Sequence, residues 1–231
     1  MASTASTRVP LSRERVFQSA VDLVDAEGLG ALTMRRLAEA LGVEAMSLYH
    51  HVSSKEGVLD GIVEVIVGEM LDAVSDLDPS RADDDWPGAM RERVLAAREV
   101  LLRHPWAPEV IESRRAMIPA VVHYYEGVLA ILRRGGFSYD LAHHALHALG
   151  SRVLGFTQEL FEPDTPEGDE ANEETFRQLA EQLPNLVGML SSVNHDGEDT
   201  TLGWCDDQTE FEFGLDVLLD GLERARSRRS G

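Results

Sequence analysis

Residues 32–62 of this chain read LTMRRLAEALGVEAMSLYHHVSSKEGVLDGI, and their pattern decides the fold of the N-terminal part. Thr33 is a suitable N-cap for a short helix over residues 34–41, because its hydroxyl can accept a hydrogen bond from the first helical turn. Gly42 then provides a helix stop, and a second short helix is predicted from about residue 45 to residue 50. The stretch therefore predicts two short helices joined by a glycine turn.

Longer helices are predicted on both sides of this pair. Residues 11–27 carry one apolar stripe and begin with Ser12, a suitable N-cap, and glycines end this helix. After the pair, Ser53 and Glu56 stand at the spacing of a capping box for a long helix that reaches about Val74. The N-terminal part is thus expected to be a three-helix helix-turn-helix unit followed by a helix that leaves it.

The rest of the chain is also predicted to be helical, because apolar residues recur at helical spacing and no run of alternating polarity predicts a strand. Residues 76–87 are interpreted as a polar and acidic linker, and residues 163–171 and 191–205 as exposed loops. Further helices are predicted at about residues 89–103, 107–113, 116–134, 139–161, 172–190 and 207–226. The expected fold is all-α with about ten helices. Residues 1–60 form the helix-turn-helix domain, and residues 61–231 form a helical domain for ligand binding and dimerisation.

Composition limits the class of protein. With 231 residues, 43% of them hydrophobic, the chain can bury a sizeable core. The single cysteine, Cys205, excludes a disulfide within the chain, and no segment has the pattern of a signal peptide or a membrane span. We therefore expect a cytoplasmic protein.

The formal charge of −20 is unevenly distributed. Residues 1–60 hold six basic and eight acidic side chains, a net charge of −2, whereas the other 171 residues hold 15 basic and 33 acidic ones, a net charge of −18. An acidic body repels DNA from every face except the one that the N-terminal part presents. The alternative is an ordinary solvated acidic surface.

The two short helices leave a set of side chains facing outward that suits DNA. Arg35 can bind a guanine edge or a phosphate, hydroxyl and imidazole groups can donate to phosphates, and small apolar groups can touch a thymine methyl. Lys55 stands at the start of the long helix, where free N–H groups favour phosphate. Any one of these residues alone is as well explained by a solvated surface, so the combination carries the argument. The predicted DNA-binding residues are Thr33, Arg35, Ala45, Met46, Ser47, Tyr49, His50 and Lys55.

Residues 28–63 resemble the DNA-binding domain of the tetracycline-repressor (TetR) family. The likeness lies in Leu48-Tyr49-His50-His51-Val52, followed by Ser53-Ser54-Lys55 and Leu59, and it extends over roughly residues 11–70. The resemblance implies a two-fold dimer bound to a pseudo-palindromic operator. It also implies that the dimer is released from the operator when a ligand changes the distance between its two DNA-binding domains.

The C-terminal part is similar to the tetracycline repressor subgroup in Trp86, residues 136–138, residues 154–155 and residues 213–222. In that subgroup the drug enters as a metal chelate, held by a histidine and a threonine with help from a glutamate. Glu159 falls at the glutamate position. By the same alignment, the other five positions of that drug site hold different residues here: Glu112, Arg115, Leu71, Arg93 and Val128. The resemblance thus implies a small-molecule effector other than a metal–tetracycline chelate.

Candidate effector-binding residues are the aromatic and polar side chains of the C-terminal domain. Trp106 lies between Pro105 and Pro108. This segment is interpreted as a movable element or, equally, as a rigid corner. Core packing is the alternative role for each of these side chains. The predicted ligand-binding residues are Trp86, His104, Trp106, Met117, Tyr124, His147, Ser151, Phe156 and Glu159.

His143, His144 and His147 form an HHxxH pattern on one predicted helix. Two imidazoles on a common helix face can bind a transition metal, but no third ligand stands at a matching spacing, so no metal site is predicted. The sequence has no Gly-x-Ser-x-Gly elbow, and no catalytic residue and no cofactor is predicted.

The predicted helices over residues 139–161 and 207–226 carry apolar stripes long enough for a dimer interface, with burial inside one chain as the alternative. A homodimer is favoured because one short recognition helix offers too little contact for specific DNA binding. The stripes are Leu141, Ala145, Leu149 and Val153 on one helix, and Leu215, Leu218, Leu219 and Leu222 on the other. The leading hypothesis is a ligand-released transcriptional repressor. The competing hypotheses are a DNA-binding regulator without a ligand and an all-helical enzyme that uses His147 with Glu159.

Overall fold

The computed structural model describes residues 10–155, positions 182–185 and 188, and residues 207–229. Its secondary structure in these residues is helical, without strands, which confirms the all-α prediction. The predicted helix over 172–190, apart from positions 182–185 and 188, lies outside the residues that can be described, and so do its two flanking loops, Cys205, Phe156 and Glu159. The helices are α1 (Arg13–Glu27), α2 (Met34–Leu41), α3 (Ala45–Leu48), α4 (Lys55–Ala73), α5 (Ala82–Arg103), α6 (Ala107–Ser113), α7 (Pro119–Arg134), α8 (Tyr139–Gly155) and α9 (Asp207–Arg229).

The chain divides into two compact units. The first comprises residues up to 155 together with residues 218–231, and the second comprises residues 156–217. In the described residues the first unit holds α1 to α8 and the C-terminal half of α9, while the second holds the N-terminal half of α9.

Local capping explains why the first three helices begin and end where they do. The Ser12 hydroxyl accepts a hydrogen bond from the backbone N–H of Arg15, and the Thr33 hydroxyl accepts one from Arg36, each at 3.2 Å. Gly42 has φ 66°, in the left-handed region that favours glycine, and α2 ends there. The predicted cap and stop residues of α1 and α2 are therefore confirmed.

The reading head, which we define as α1 to α3 with the first turns of α4, has its own apolar core. Phe17 of α1 packs so closely on α4 that a Cβ atom at Gly61 would lie 2.1 Å from its ring. Glycine is therefore required where these two helices cross. The buried core residues of the head include Val16, Phe17, Ala20, Leu32, Leu37, Ala38, Leu48, Val52, Val58 and Ile62.

Several predicted element boundaries differ from the structure: α3 ends at Leu48 and not near residue 50, and α7 begins at Pro119 and not near residue 116. The cap of α4 is Ser54 and not Ser53, because the Ser54 hydroxyl accepts the Gly57 N–H at 3.2 Å. The predicted linker over residues 76–87 is partly helical, because α5 already begins at Ala82. Asp85 interrupts α5 with φ −142° and ψ 65°, and its carboxylate accepts the Gly88 N–H at 2.9 Å, so it restarts the helix as an internal N-cap.

The apolar stripes that were expected to form the dimer interface are largely buried inside the chain. On α8, Leu141, Ala145 and Leu149 are buried, and this helix packs against α7. On α9, Leu219 and Leu222 are buried as well. The alternative left open by the sequence, burial within one chain, is thus correct for these residues. No helix in the described part of the chain combines the length and hydrophobicity of a membrane span.

Candidate nucleic-acid interface and internal cavity

The short helix α3 presents polar and apolar side chains outward while one residue anchors it. Leu48 is fully buried, whereas Met46 is 71% exposed and Tyr49 and His50 are exposed as well. Ala45 and Ser47 are half-buried. A helix held by one apolar anchor, with free side chains on its other faces, has the geometry needed to enter a DNA groove.

The two adjacent arginines of α2 have different surroundings. Arg36 forms an ion pair with Glu27 at the end of α1, and this hydrogen bond raises the pKa of the guanidinium. The Arg35 side chain is 83% exposed, and its contact with Glu39 is 3.4 Å long. Arg36 therefore ties α2 to α1, while Arg35 remains available to a partner.

Lys55 and Thr33 stand at the first turns of α4 and α2. Lys55 is exposed, and within the residues described here it forms no ion pair. Thr33 is exposed and caps α2 through its hydroxyl. None of the eight side chains predicted to contact DNA is therefore buried, and the assignment of each to DNA stays a prediction.

An apolar cavity lies beyond the head in the same unit. The empty space at this site, counted together with the open solvent at its mouth, is about 600 Å³. Five helices line it, and α4, which begins in the reading head, is one of them. The wall consists of Val67, Met70, Met90, Val94, Ile111, Val121, Tyr124, Tyr125, Val128, Leu146, Leu149, Gly150, Val153 and Leu154.

The two tyrosines supply the only side-chain hydroxyls among the described lining residues. Burial raises the pKa of Tyr124 to about 12, so this residue is a neutral donor at physiological pH. The Tyr125 side chain is 40% exposed. The remaining wall is apolar, which favours a mainly hydrophobic or aromatic occupant.

Of the predicted ligand-binding residues that can be described, the structure places Tyr124 in the cavity wall and the others elsewhere. Trp86 packs against Phe137 and donates to Glu223 at 2.7 Å. Met117 is 88% exposed, and His147 and Ser151 are exposed. Their role in effector binding stays a prediction. Sequence reasoning missed the aliphatic wall residues, because in a single sequence they have the same spacing as core residues.

His104 and Trp106 lie at a junction with the reading head instead. Asp25, near the end of α1, accepts from the Trp106 indole at 2.6 Å and lies 2.8 Å from the His104 Nδ1. The other nitrogen of this buried imidazole lies 3.4 Å from Glu69 of α4. The turn between α5 and α6 is thereby joined to both α1 and α4.

Arg114, just after α6, forms a second junction. Its guanidinium lies 2.7 Å from Glu56 and 3.5 Å from Asp60, both in the first turns of α4. Ile111, in the middle of α6, lines the cavity. The short helix α6 therefore contacts the cavity and is joined to the reading head at both of its ends.

The histidine pattern on α8 brings two rings together. The ring centroids of His143 and His147 are 4.6 Å apart, and both side chains are exposed. In the described part of the chain, no group of three or more histidine, cysteine or acidic residues is arranged to hold a metal ion.

Comparison with protein families matches both parts of the chain. Residues 16–62 match "Bacterial regulatory proteins, tetR family", and residues 78–226 match "Tetracyclin repressor-like, C-terminal domain". The chain is 31% identical over 230 residues to the "HTH-type transcriptional repressor DrrR1" of Streptomyces coeruleorubidus, which spans 96% of this chain and 80% of that relative.

Solved structures share the fold. A possible TetR family transcriptional regulator from Streptomyces coelicolor A3(2) superposes with a TM-score of 0.71 and 32% identity, over 93% of this chain and all of that one. The Streptomyces coelicolor TetR family protein ActR in complex with actinorhodin superposes with a TM-score of 0.70 and 28% identity, over 94% of this chain and 97% of that one.

Proposed function

The chain belongs to the TetR family of transcriptional regulators, and we propose that residues 1–60 read an operator while residues 61–231 bind the effector and hold the dimer together. It is a DNA-binding, ligand-responsive repressor that acts as a homodimer, and it is not an enzyme. We place it in the cytoplasm, where it meets its operator.

The exposed face of α3 carries the proposal for DNA reading. Met46 projects from α3, whose single buried residue is Leu48, and Tyr49 and His50 are exposed in the turn that follows this helix. Arg35 is 83% exposed and can exchange its contact with Glu39 for a base edge, and Lys55 has free N–H groups beside it for a phosphate. With two copies related by a two-fold axis, these side chains read a palindromic operator.

The apolar cavity is the proposed effector site. An occupant touches α4 and α6 directly, and α6 is joined to the head through Asp25, Glu56 and Asp60. Binding that favours a different position of α6 therefore changes the orientation of the head and lowers operator affinity. The described wall offers no histidine or carboxylate to a chelated metal, which supports an effector other than metal–tetracycline.

The test is selection of random double-stranded DNA by the full-length protein, followed by sequencing of the bound pool. We expect a palindrome, and titration of that palindrome at two salt concentrations gives its affinity. Arg134→Ala, which removes an arginine paired with Asp83 far along the sequence from the head, is the matched control and retains the same palindrome. Failure of the folded protein to enrich any sequence contradicts the proposed operator reading.

A further inference from the structure

Two histidines on the exposed side of α8 lie at the spacing at which one metal ion binds two imidazoles. His143 and His147 are one helical turn apart, and their ring centroids are separated by 4.6 Å. Both side chains are exposed. Within the part of the chain that the structure describes, neither ring has a hydrogen-bond or ion-pair partner. The ring nitrogens of this pair are therefore available to a ligand.

The geometry of the pair suits zinc. Imidazole nitrogens bind this ion at about 2.0–2.1 Å, as members of a tetrahedral set of four ligands. Two nitrogens of such a set lie about 3.3 Å apart, and side-chain rotation brings exposed rings to that distance. One chain supplies only two of the four ligands, and the described residues hold no third one beside the pair. A complete site therefore needs ligands from a second molecule.

A second copy of the chain supplies those ligands if the two-fold axis of the homodimer passes beside this face of α8, because the axis brings identical residues together. The charge distribution favours this face. Residues 141–158 form the longest run of the sequence without aspartate or glutamate, in a chain of net charge −20. Two such acidic chains repel each other least where both lack carboxylates.

The packing of α8 leaves the histidine side open to that second copy. Leu141, Ala145 and Leu149 are buried, and their positions on the helix lie opposite those of His143 and His147. The helix thus faces its own chain with an apolar stripe. Its other side carries the imidazole pair.

We propose that His143 and His147 bind a zinc ion together with the same two histidines of a second copy, so that one ion joins the two chains. The proposal rests on the homodimer of the proposed function and adds a site distinct from the operator-reading face and the effector cavity. An ion that binds the dimer but not the single chain shifts the equilibrium towards the dimer. Because operator reading needs two heads, zinc then supports DNA binding at low protein concentration.

Titration of the metal-free, full-length protein with zinc chloride tests the proposal. Bound zinc is measured together with the mass of the protein in solution over a dilution series. We expect about half a tightly bound ion per chain, and dimers that persist to lower protein concentration when zinc is present. His143→Ala and His147→Ala should each weaken tight zinc binding by more than about 100-fold, since loss of a group that only orients a metal ligand already costs about 10- to 100-fold.

His144 provides the matched control, because it is an exposed histidine of the same helix. Its Nε2 lies 3.9 Å from an oxygen of Asp140, which is a neighbour of its own. His144→Ala should leave tight zinc binding and dimerisation within about twofold of the wild type. It also reports the weak zinc binding to surface carboxylates that all the variants share.

Three outcomes overturn the proposal: one tightly bound ion per chain, equal losses in His143→Ala and His144→Ala, or no tight zinc binding by the wild type. If the wild type binds no zinc but is dimeric and binds its operator, only the zinc site has failed. If it is monomeric with and without zinc, the homodimer of the proposed function is contradicted as well.

Discussion

At the scale of single residues, the basic side chains of the reading head are of two kinds. Arg36 forms an ion pair with Glu27 of α1, whereas the Arg35 and Lys55 side chains are exposed. A phosphate contact acts on every DNA sequence alike, because phosphates carry no base information, whereas a base contact acts on the operator alone. The roles of Arg35 and Lys55 can therefore be assigned by comparing the affinity for operator DNA with the affinity for random DNA.

Lys55→Ala is expected to weaken binding to all DNA sequences and to reduce its salt dependence. Each phosphate contact contributes about 0.9 to the slope of log K against log salt, so a dimer that loses two lysines should lose about 1.8. The measurement is a titration of operator and random DNA at four salt concentrations. Lys55→Arg keeps the charge and serves as the control. An unchanged slope in Lys55→Ala would remove this residue from the interface.

Arg35→Ala is expected to act differently, with a loss of about 1–3 kcal/mol on the operator if Arg35 reads a base edge. The contact between Arg35 and Glu39 is exposed and therefore weak, so Arg35 can leave Glu39 to bind a guanine edge. Competition between labelled operator and a scrambled sequence of equal length measures the difference. A loss of equal size on both DNAs would reassign Arg35 to a phosphate.

At the scale of elements, α6 joins the cavity to the head. Arg114→Met cuts its C-terminal junction with Glu56 and Asp60 and leaves the cavity wall unchanged. Since coupling between two sites typically amounts to 1–3 kcal/mol, we expect operator affinity to fall by about fivefold or more. Arg134→Met, which breaks an ion pair with Asp83, is the control. Operator affinity equal to that of the wild type would show that head orientation does not depend on this junction.

The C-terminal half of α9 is held by a second cluster of polar contacts. Glu223 accepts from the Trp86 indole at 2.7 Å and from Arg226 at 2.6 Å, and Arg226 in turn donates to the Gly135 carbonyl oxygen at 3.0 Å. The Arg226 hydrogen bond, followed by that of Trp86, lowers the pKa of Glu223 from 4.5 to about 2. The ionised Glu223 carboxylate therefore links α9 to α5, and Arg226 links α9 to the end of α7.

This cluster predicts a pH-dependent stability difference. Because the folded-state pKa is depressed, the stabilisation is fully present above about pH 4.5 and is lost as the pH falls towards about 2. Glu223→Gln should lower the thermal midpoint at pH 7, and the gap to the wild type should narrow below pH 4.5. Thermal unfolding over a pH series measures it, with Glu126→Gln, at an exposed position of α7, as the control. A gap that is constant over the series would show that ionisation of Glu223 is unimportant.

The elements also show how far a single sequence predicts this fold. Helix caps with side-chain signals, such as Thr33 and Gly42, were predicted correctly, because one residue decides each of them. The restart of α5 at Asp85 was missed, since an acidic segment with a proline has the composition of a linker. The cavity wall was missed for a different reason. Whether Met90 or Leu149 faces a void or a neighbouring side chain depends on how helices pack, which periodicity does not record.

At the scale of the whole molecule, the charge distribution and the dimer belong together. The residues beyond position 60 carry a net charge of −18, so only the two reading heads can approach DNA closely. One head built on a four-residue α3 offers few contacts, and two heads on a two-fold axis double them. On α9, Phe213 and Val217 are exposed and available to a second copy, in contrast to the buried leucines of the same helix.

Fixed spacing of the two heads leads to the last prediction. Half-sites read from one face of B-DNA lie about 34 Å, or one helical turn, apart, so inserting five base pairs at the operator centre turns one half-site to the opposite face. We expect this insertion to reduce the affinity to the level of random DNA. An insertion of ten base pairs should restore little of the affinity, because the folded dimer cannot span the distance of a further helical turn. Gel-shift titration of the two inserted operators beside the original measures this. Full binding to the operator with the five-base-pair insertion would show that the two heads bind independently. Release through α6 would then be contradicted, because that mechanism acts by changing a fixed orientation of the heads.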